Sequence, residues 1–179
     1  MFKIFISLTF IALIAGCSSG NDNQNDIDIF DGTYDNVVFT KDSFKGLEFK
    51  FIKEYDVSEL PDASEAYYGF FKRREFELRF YPSNELAKSS GVFFADEVTG
   101  KNAIIKKADS SWKEGIKDRM TSGVFGNKGN SPKYMDYVIL GNMIVLCPIE
   151  ISSSEIGAGE PLDNCRLLLS NLPEINQIN

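Results

Sequence analysis

The side chains able to do chemistry are few in kind. The chain has three Cys and no His among its 179 residues. Without an imidazole its own residues can build no Ser-His-Asp triad, no Cys-His dyad and no His-ligated zinc or haem. The thiols are Cys17, Cys147 and Cys165. A thiolate is a nucleophile and a metal ligand, and two thiols can close a disulfide. Carboxylates are abundant, with 26 Asp and Glu against 19 Lys and Arg and a net charge of −7. Two acids at a set separation suffice for glycoside hydrolysis, but the neighbours of these acids mark none as buried or special. Glu75 and Glu77 fall on the polar face of an alternating stretch, where solvated surface is the default. The negative balance argues against a nucleic-acid partner, which needs clustered positive charge.

Other motifs fail on their partners. Ser110-Ser111-Trp112-Lys113 has the Ser-x-x-Lys spacing of penicillin-recognising enzymes, yet the chain lacks their Ser-Asp-Asn and Lys-Thr-Gly segments. Gly123, Gly126 and Gly129 are not followed by the Gly-Lys-Ser/Thr of a phosphate loop, and Gly157-Ala158-Gly159 lacks the third Gly of a dinucleotide fingerprint. Asp26, Asp28 and Asp31-Gly32 alternate like calcium ligands, but Phe30 sits where the third ligand belongs. The expectation is no cofactor and no metal.

The start of the chain carries an address. Met1-Phe2-Lys3 precedes an apolar run from Ile4 to Ala15, shorter than the ~20 residues of a spanning helix. A positive start, a short apolar run and small residues at its end describe an export signal over residues 1–16. The run ends in Ile14-Ala15-Gly16-Cys17, which resembles the lipobox of bacterial lipoproteins. In that family the Cys is thioether-linked to diacylglycerol, the signal is cut before it, and the new amine is usually acylated. The resemblance covers about a tenth of the chain. It implies a membrane anchor through lipid on Cys17, and Ser18 after it implies the outer membrane if the cell has two. Residues 17–29 then read as a lipidated Cys and a flexible polar tether. Cleavage removes one Lys and no acid, moving the net charge from −7 to −8.

The elements that must position the remaining residues lie in 30–179, read as one domain. Leu47, Phe49 and Phe51 alternate with Glu48 and Lys50, a strand. Ala66 to Phe71 is a second strand, with Gly69 a bulge position, and Phe76, Leu78 and Phe80 mark a half-buried third. Lys72-Arg73-Arg74 is the charged turn of their hairpin. Ser83 caps a helix whose stripe is Leu86, Ser90, Phe94 and Val98, with Gly91 a break point. Asp109 caps a short second helix presenting Trp112, Ile116 and Met120. Thr121 to Lys133 reads as a long loop. Tyr134 to Leu140 and Met143 to Ile149 flank Gly141-Asn142 as a hairpin, placed centrally because its apolar residues do not alternate. Pro161 opens a helix with Leu162, Cys165, Leu168 and Leu169 on one face. The fold class is α+β: an antiparallel sheet of four or five strands with two or three helices packed on it.

Cys147 and Cys165 then face one interface. The expected outcome is a disulfide stapling the last helix to the sheet; two buried free thiols and a redox pair are the alternatives. A binding surface, if present, is expected near the 121–133 loop, with Trp112 and Phe125 as aromatic anchors and Arg119 as charge donor; the competing reading puts Trp112 in the core. The leading expectation is a lipid-anchored extracytoplasmic protein with a non-enzymatic structural or binding role. Small uncharacterised bacterial lipoproteins are loosely similar to the mature region and bring no activity with them. A carboxylate-dependent hydrolase and a one-lobed solute-binding module are the alternatives, and the sequence does not specify an envelope protein or small-molecule partner.

Overall fold

A computed structural model describes residues 28–122, 130–149 and 160–177. The lipobox with Cys17, Phe125, and the Gly157 and Gly159 segment lie outside the described residues. Among the described residues no helix is long and apolar enough to cross a membrane.

Five antiparallel strands form the main sheet: β1 (Lys50–Glu54), β2 (Glu65–Phe71), β3 (Arg74–Phe80), β6 (Tyr134–Leu140) and β7 (Met143–Pro148). Their order is β1-β2-β3-β7-β6. The α+β reading thus holds, and two tight hairpins build most of the sheet. Phe71 pairs with Arg74 across Lys72-Arg73, and Leu140 pairs with Met143 across Gly141-Asn142. Each connection is therefore two residues long, the length that favours mirror-image turns. The buried Asn142 side chain accepts from the Phe39 amide at 2.6 Å and donates to the Tyr81 carbonyl at 2.7 Å. That turn consequently ties the chain's early segment to the end of β3.

Both faces of the sheet are covered. On one, Phe76, Leu78 and Phe80 of β3 join Val145 and Cys147 of β7. Against them pack Cys165, Leu168 and Leu169 of α3 (Pro161–Leu169), Ile175 of α4 (Pro173–Asn176), and Ile29, Tyr34, Phe39 and Phe44. Ile29, the last residue of the stretch expected to be tether, is thus part of the core. On the opposite face, Ile144 and Leu146 meet Ala87, Ala95 and Val98 of a helical run. That run joins α1 (Asn84–Leu86) and α2 (Val92–Asp96) through a π-helical turn, Ala87–Gly91. Ser83 caps it as expected, accepting from the Leu86 amide. The wide turn ends at the expected break, Gly91, and rotates the buried stripe to Ala87, Gly91, Ala95 and Val98.

Several expectations need correction. The first strand starts at Lys50, not Leu47, and the unpaired extra residue is Ile52 on β1 rather than Gly69. Gly69 instead permits close approach, since a Cβ there would lie 2.5 Å from the Lys50 carbonyl oxygen. The short helix after Asp109 does not form: 111–119 runs as turns, and Gly115 has φ +70°. That left-handed residue breaks the helical path and lets the Tyr55 ring fill the space a Cβ would take, 2.8 Å away. Within the expected long loop, β4 (Met120–Ser122) pairs with β5 (Asn130–Pro132) as a separate ribbon. Of the central hairpin, β7 is interior and buried throughout, whereas β6 is a sheet edge. Finally, β3 is not half-buried: Phe76 to Phe80 are all buried, charged residues included.

Candidate functional site

Two polar features stand out on the face of β3 opposite Phe76 and Leu78. The first is internal. Glu77 and Arg79 point into the layer formed by Trp112 and Arg119, and the three charged side chains are 0%, 0% and 1% exposed. Arg79 Nε donates to Glu77 Oε1 at 2.7 Å. Arg119 forks onto the same carboxylate, Nε to Oε2 at 2.7 Å and Nη2 to Oε1 at 3.1 Å. Both guanidiniums also lie over the Trp112 ring, at 5.0 Å for Arg79 and 4.3 Å for Arg119, close enough for a cation–π contribution. Trp112 is fixed in turn, donating from Nε1 to the Asp56 carbonyl at 3.1 Å and meeting Tyr55 edge-on.

One carboxylate faces two guanidiniums, so the cluster is formally positive. Burial by itself pushes the Glu77 carboxyl up, but Arg119 and Arg79, by charge and by hydrogen bonds, outweigh it and hold the group below its ordinary range. A general acid needs the opposite shift. Glu77 is therefore an ionised structural anion with both oxygens engaged. The nearby phenols move the other way: burial, reinforced by the Glu77 charge, raises Tyr55 and Tyr134, so both stay neutral.

The second feature is open. A cleft of about 470 Å³ lies beside the β2–β3 turn. Among the described residues lining it, Lys72, Arg73, Arg74 and Lys133 bring positive charge, Glu75 a carboxylate, and Pro148 and Ile149 an apolar wall. Lys133 Nζ and the Tyr68 hydroxyl both hold the Glu75 carboxylate. Burial and that bond raise the Tyr68 phenol. Among the described residues neither Lys72 nor Arg73 meets a carboxylate. The turn itself is strained. Lys72 and Arg73 have φ +45° and +69°, values at which a side chain costs on the order of 1 kcal/mol and Asn-Gly is the easy choice.

The sequence-predicted residues divide as follows. Cys147 and Cys165 come together as a disulfide with a Cα–Cα distance of 5.4 Å. Trp112 and Arg119 come together too, but inside the molecule, so they cannot serve as surface anchor and charge donor; the core reading of Trp112 is the correct one. Phe125 lies outside the described residues. Glu77 and Arg79 were missed, because alternation on a strand reads as one solvated face. The available signal was their opposite charges two residues apart on one face, a pair able to satisfy itself. The basic triplet, expected to be a solvated turn, is largely exposed yet lines a cleft that also contains Thr121 and Lys133, the ends of the expected loop. Among the described residues there is no cluster of three or more metal-ligating side chains.

No curated protein matches the chain, and no solved structure does. A protein family does: residues 40–174, which hold the whole main sheet, the buried ion cluster and the disulfide, match it, and the chain belongs to that family of unknown function, DUF6810.

Proposed function

We propose that the chain is a lipid-anchored extracytoplasmic protein with a non-enzymatic binding or structural role, held to a bacterial membrane through lipid on Cys17. The observation that carries this reading is the Cys147–Cys165 disulfide. Disulfides persist in oxidising compartments and are rare where thiols are kept reduced. With two of the three cysteines joined to each other, Cys17 is the thiol left for chemistry, and it stands at the end of Ile14-Ala15-Gly16-Cys17. The non-enzymatic part rests on the chemistry of the buried acid: Glu77 is committed to two arginines and kept ionised, which suits a fixed scaffold.

The test is Cys17→Ser in the expressing cell. The expected result is loss of labelling by a radioactive fatty acid and movement of the protein into the soluble fraction. A variant that remains in the membrane fraction after a molar-salt wash would overturn the reading.

A further inference from the structure

We propose that the cleft beside the β2–β3 turn is a binding site for a phosphate-bearing ligand, with Lys72 and Arg73 as its phosphate contacts. Three observations converge. The chain as a whole is strongly acidic, at −7, yet beside the Glu75 carboxylate this cleft sets Lys72 and Arg73, neither of which meets a carboxylate among the described residues. That carboxylate, Glu75, is already engaged by Lys133 and by the Tyr68 hydroxyl, so it does not neutralise the turn. The turn residues are also the wrong ones for folding. Both central positions of the hairpin have left-handed backbone, which Asn-Gly or Asp-Gly adopts without strain. Strain of this kind persists where function requires the side chain, and here the side chains are a lysine and an arginine.

The ligand class follows from charge and shape. An arginine fork with a neighbouring ammonium matches the several oxygens and the double charge of a phosphate better than a carboxylate's single charge. Pro148 and Ile149 give the same cleft an apolar wall, which suits a phosphate ester with a carbon portion. A long polyanion is disfavoured, because beyond the cleft the acidic body repels it. A soluble phosphate monoester and a phosphomonoester lipid headgroup share this chemistry. The inference does not depend on the anchor at Cys17, and its test separates the two.

The decisive variant is Lys72→Asn combined with Arg73→Gly. It removes both contacts while installing the residues the turn prefers, so it melts at or above the parent's temperature and loss of binding is not loss of fold. The full chain in mild detergent is titrated with inorganic pyrophosphate and followed by amide chemical shifts at 72–75 and 133. The full-length Cys17→Ser chain is tested separately for co-flotation with vesicles of phosphatidylcholine alone or mixed equally with phosphatidic acid. Support is saturable binding in at least one arm that weakens tenfold or more in the double variant. Binding to pyrophosphate without vesicle preference assigns a soluble ester; preference for phosphatidic acid vesicles assigns a headgroup. Absence of binding in both arms, or binding that survives the double substitution, overturns the proposal. A molar-salt wash strips contacts made by Lys72 and Arg73 but not lipid on Cys17, so with that wash the two readings fail separately.

Discussion

Glu77 is the residue on which the second face of the sheet depends. It is fully buried and carries hydrogen bonds from Arg79 and from Arg119, 42 positions away. Breaking a buried ion pair by removing one partner typically costs about 3–5 kcal/mol, because the other charge stays behind without compensation. Glu77→Gln leaves two buried guanidiniums and is expected to lose about that much in urea unfolding at neutral pH. A loss under about 1 kcal/mol would show that the cluster is not what holds the layer. The pH dependence has a definite sign. The folded-state pKa of Glu77 lies below its ordinary 4.5, so its contribution is complete above that value and is lost as pH falls through the folded one. The exposed Asp28, Asp31 and Asp56 carboxyls are also lowered, by Arg166, Thr33 and Ser58 respectively. The informative quantity is therefore the difference between parent and variant, which should shrink below about pH 4. None of this was legible in Glu75-Phe76-Glu77-Leu78-Arg79-Phe80. Period-2 alternation states that a strand has two kinds of face; what covers the polar one depends on Arg119 and Trp112, far along the chain.

Elements were legible where local chemistry decides them. Both hairpins, the Ser83 cap and the Pro161 helix follow from turn length, a capping hydroxyl and a ring-fixed φ, and all are present. The helix expected after Asp109 fails although Trp112, Ile116 and Met120 keep a helical spacing, because Gly115 between them takes a left-handed conformation that serves the contact with Tyr55. The disulfide was legible as well, since strand parity and the helix stripe place Cys147 and Cys165 on facing surfaces. It spans 18 positions, and closing a loop of that size is worth ~3 kcal/mol in the chain-entropy model. Joint Cys147→Ala and Cys165→Ala substitution is expected to lower stability by about that amount, with reductant then having no further effect on the melting temperature. An equal melting temperature for parent and variant would remove the staple's role. The β2–β3 turn gives the opposite expectation. Lys72→Asn with Arg73→Gly relieves two left-handed side chains and should stabilise the fold by roughly 1 kcal/mol, a gain visible as a higher urea midpoint at unchanged slope.

At the scale of the whole molecule the proposed anchor raises the question of what would hold an acidic body to an anionic surface. The sheet is covered on both faces, and the chain carries −7, or −8 under the proposed removal of residues 1–16 with Lys3. Anionic headgroups repel such a body on average, so electrostatic adhesion of the domain is a poor anchor and the basic turn is at most a local exception. Lipid on Cys17 works differently. Each buried CH₂ contributes ~0.8 kcal/mol, and two or more chains make release negligible, independent of ionic strength. Salt has the contrary effect on contacts made by Lys72 and Arg73, because at molar salt the screening length falls to about 3 Å. The two attachments are therefore separable in one fractionation. Membranes washed with molar salt are expected to retain the parent protein, while mild detergent releases it. The Cys17→Ser chain is expected in the soluble fraction, and its folded domain should unfold at the parent's urea midpoint, because the described core is built from Ile29 onward and lipid on Cys17 is no part of it. Release of the parent by salt alone would mean that charge holds the protein, and the lipid anchor would have to be abandoned.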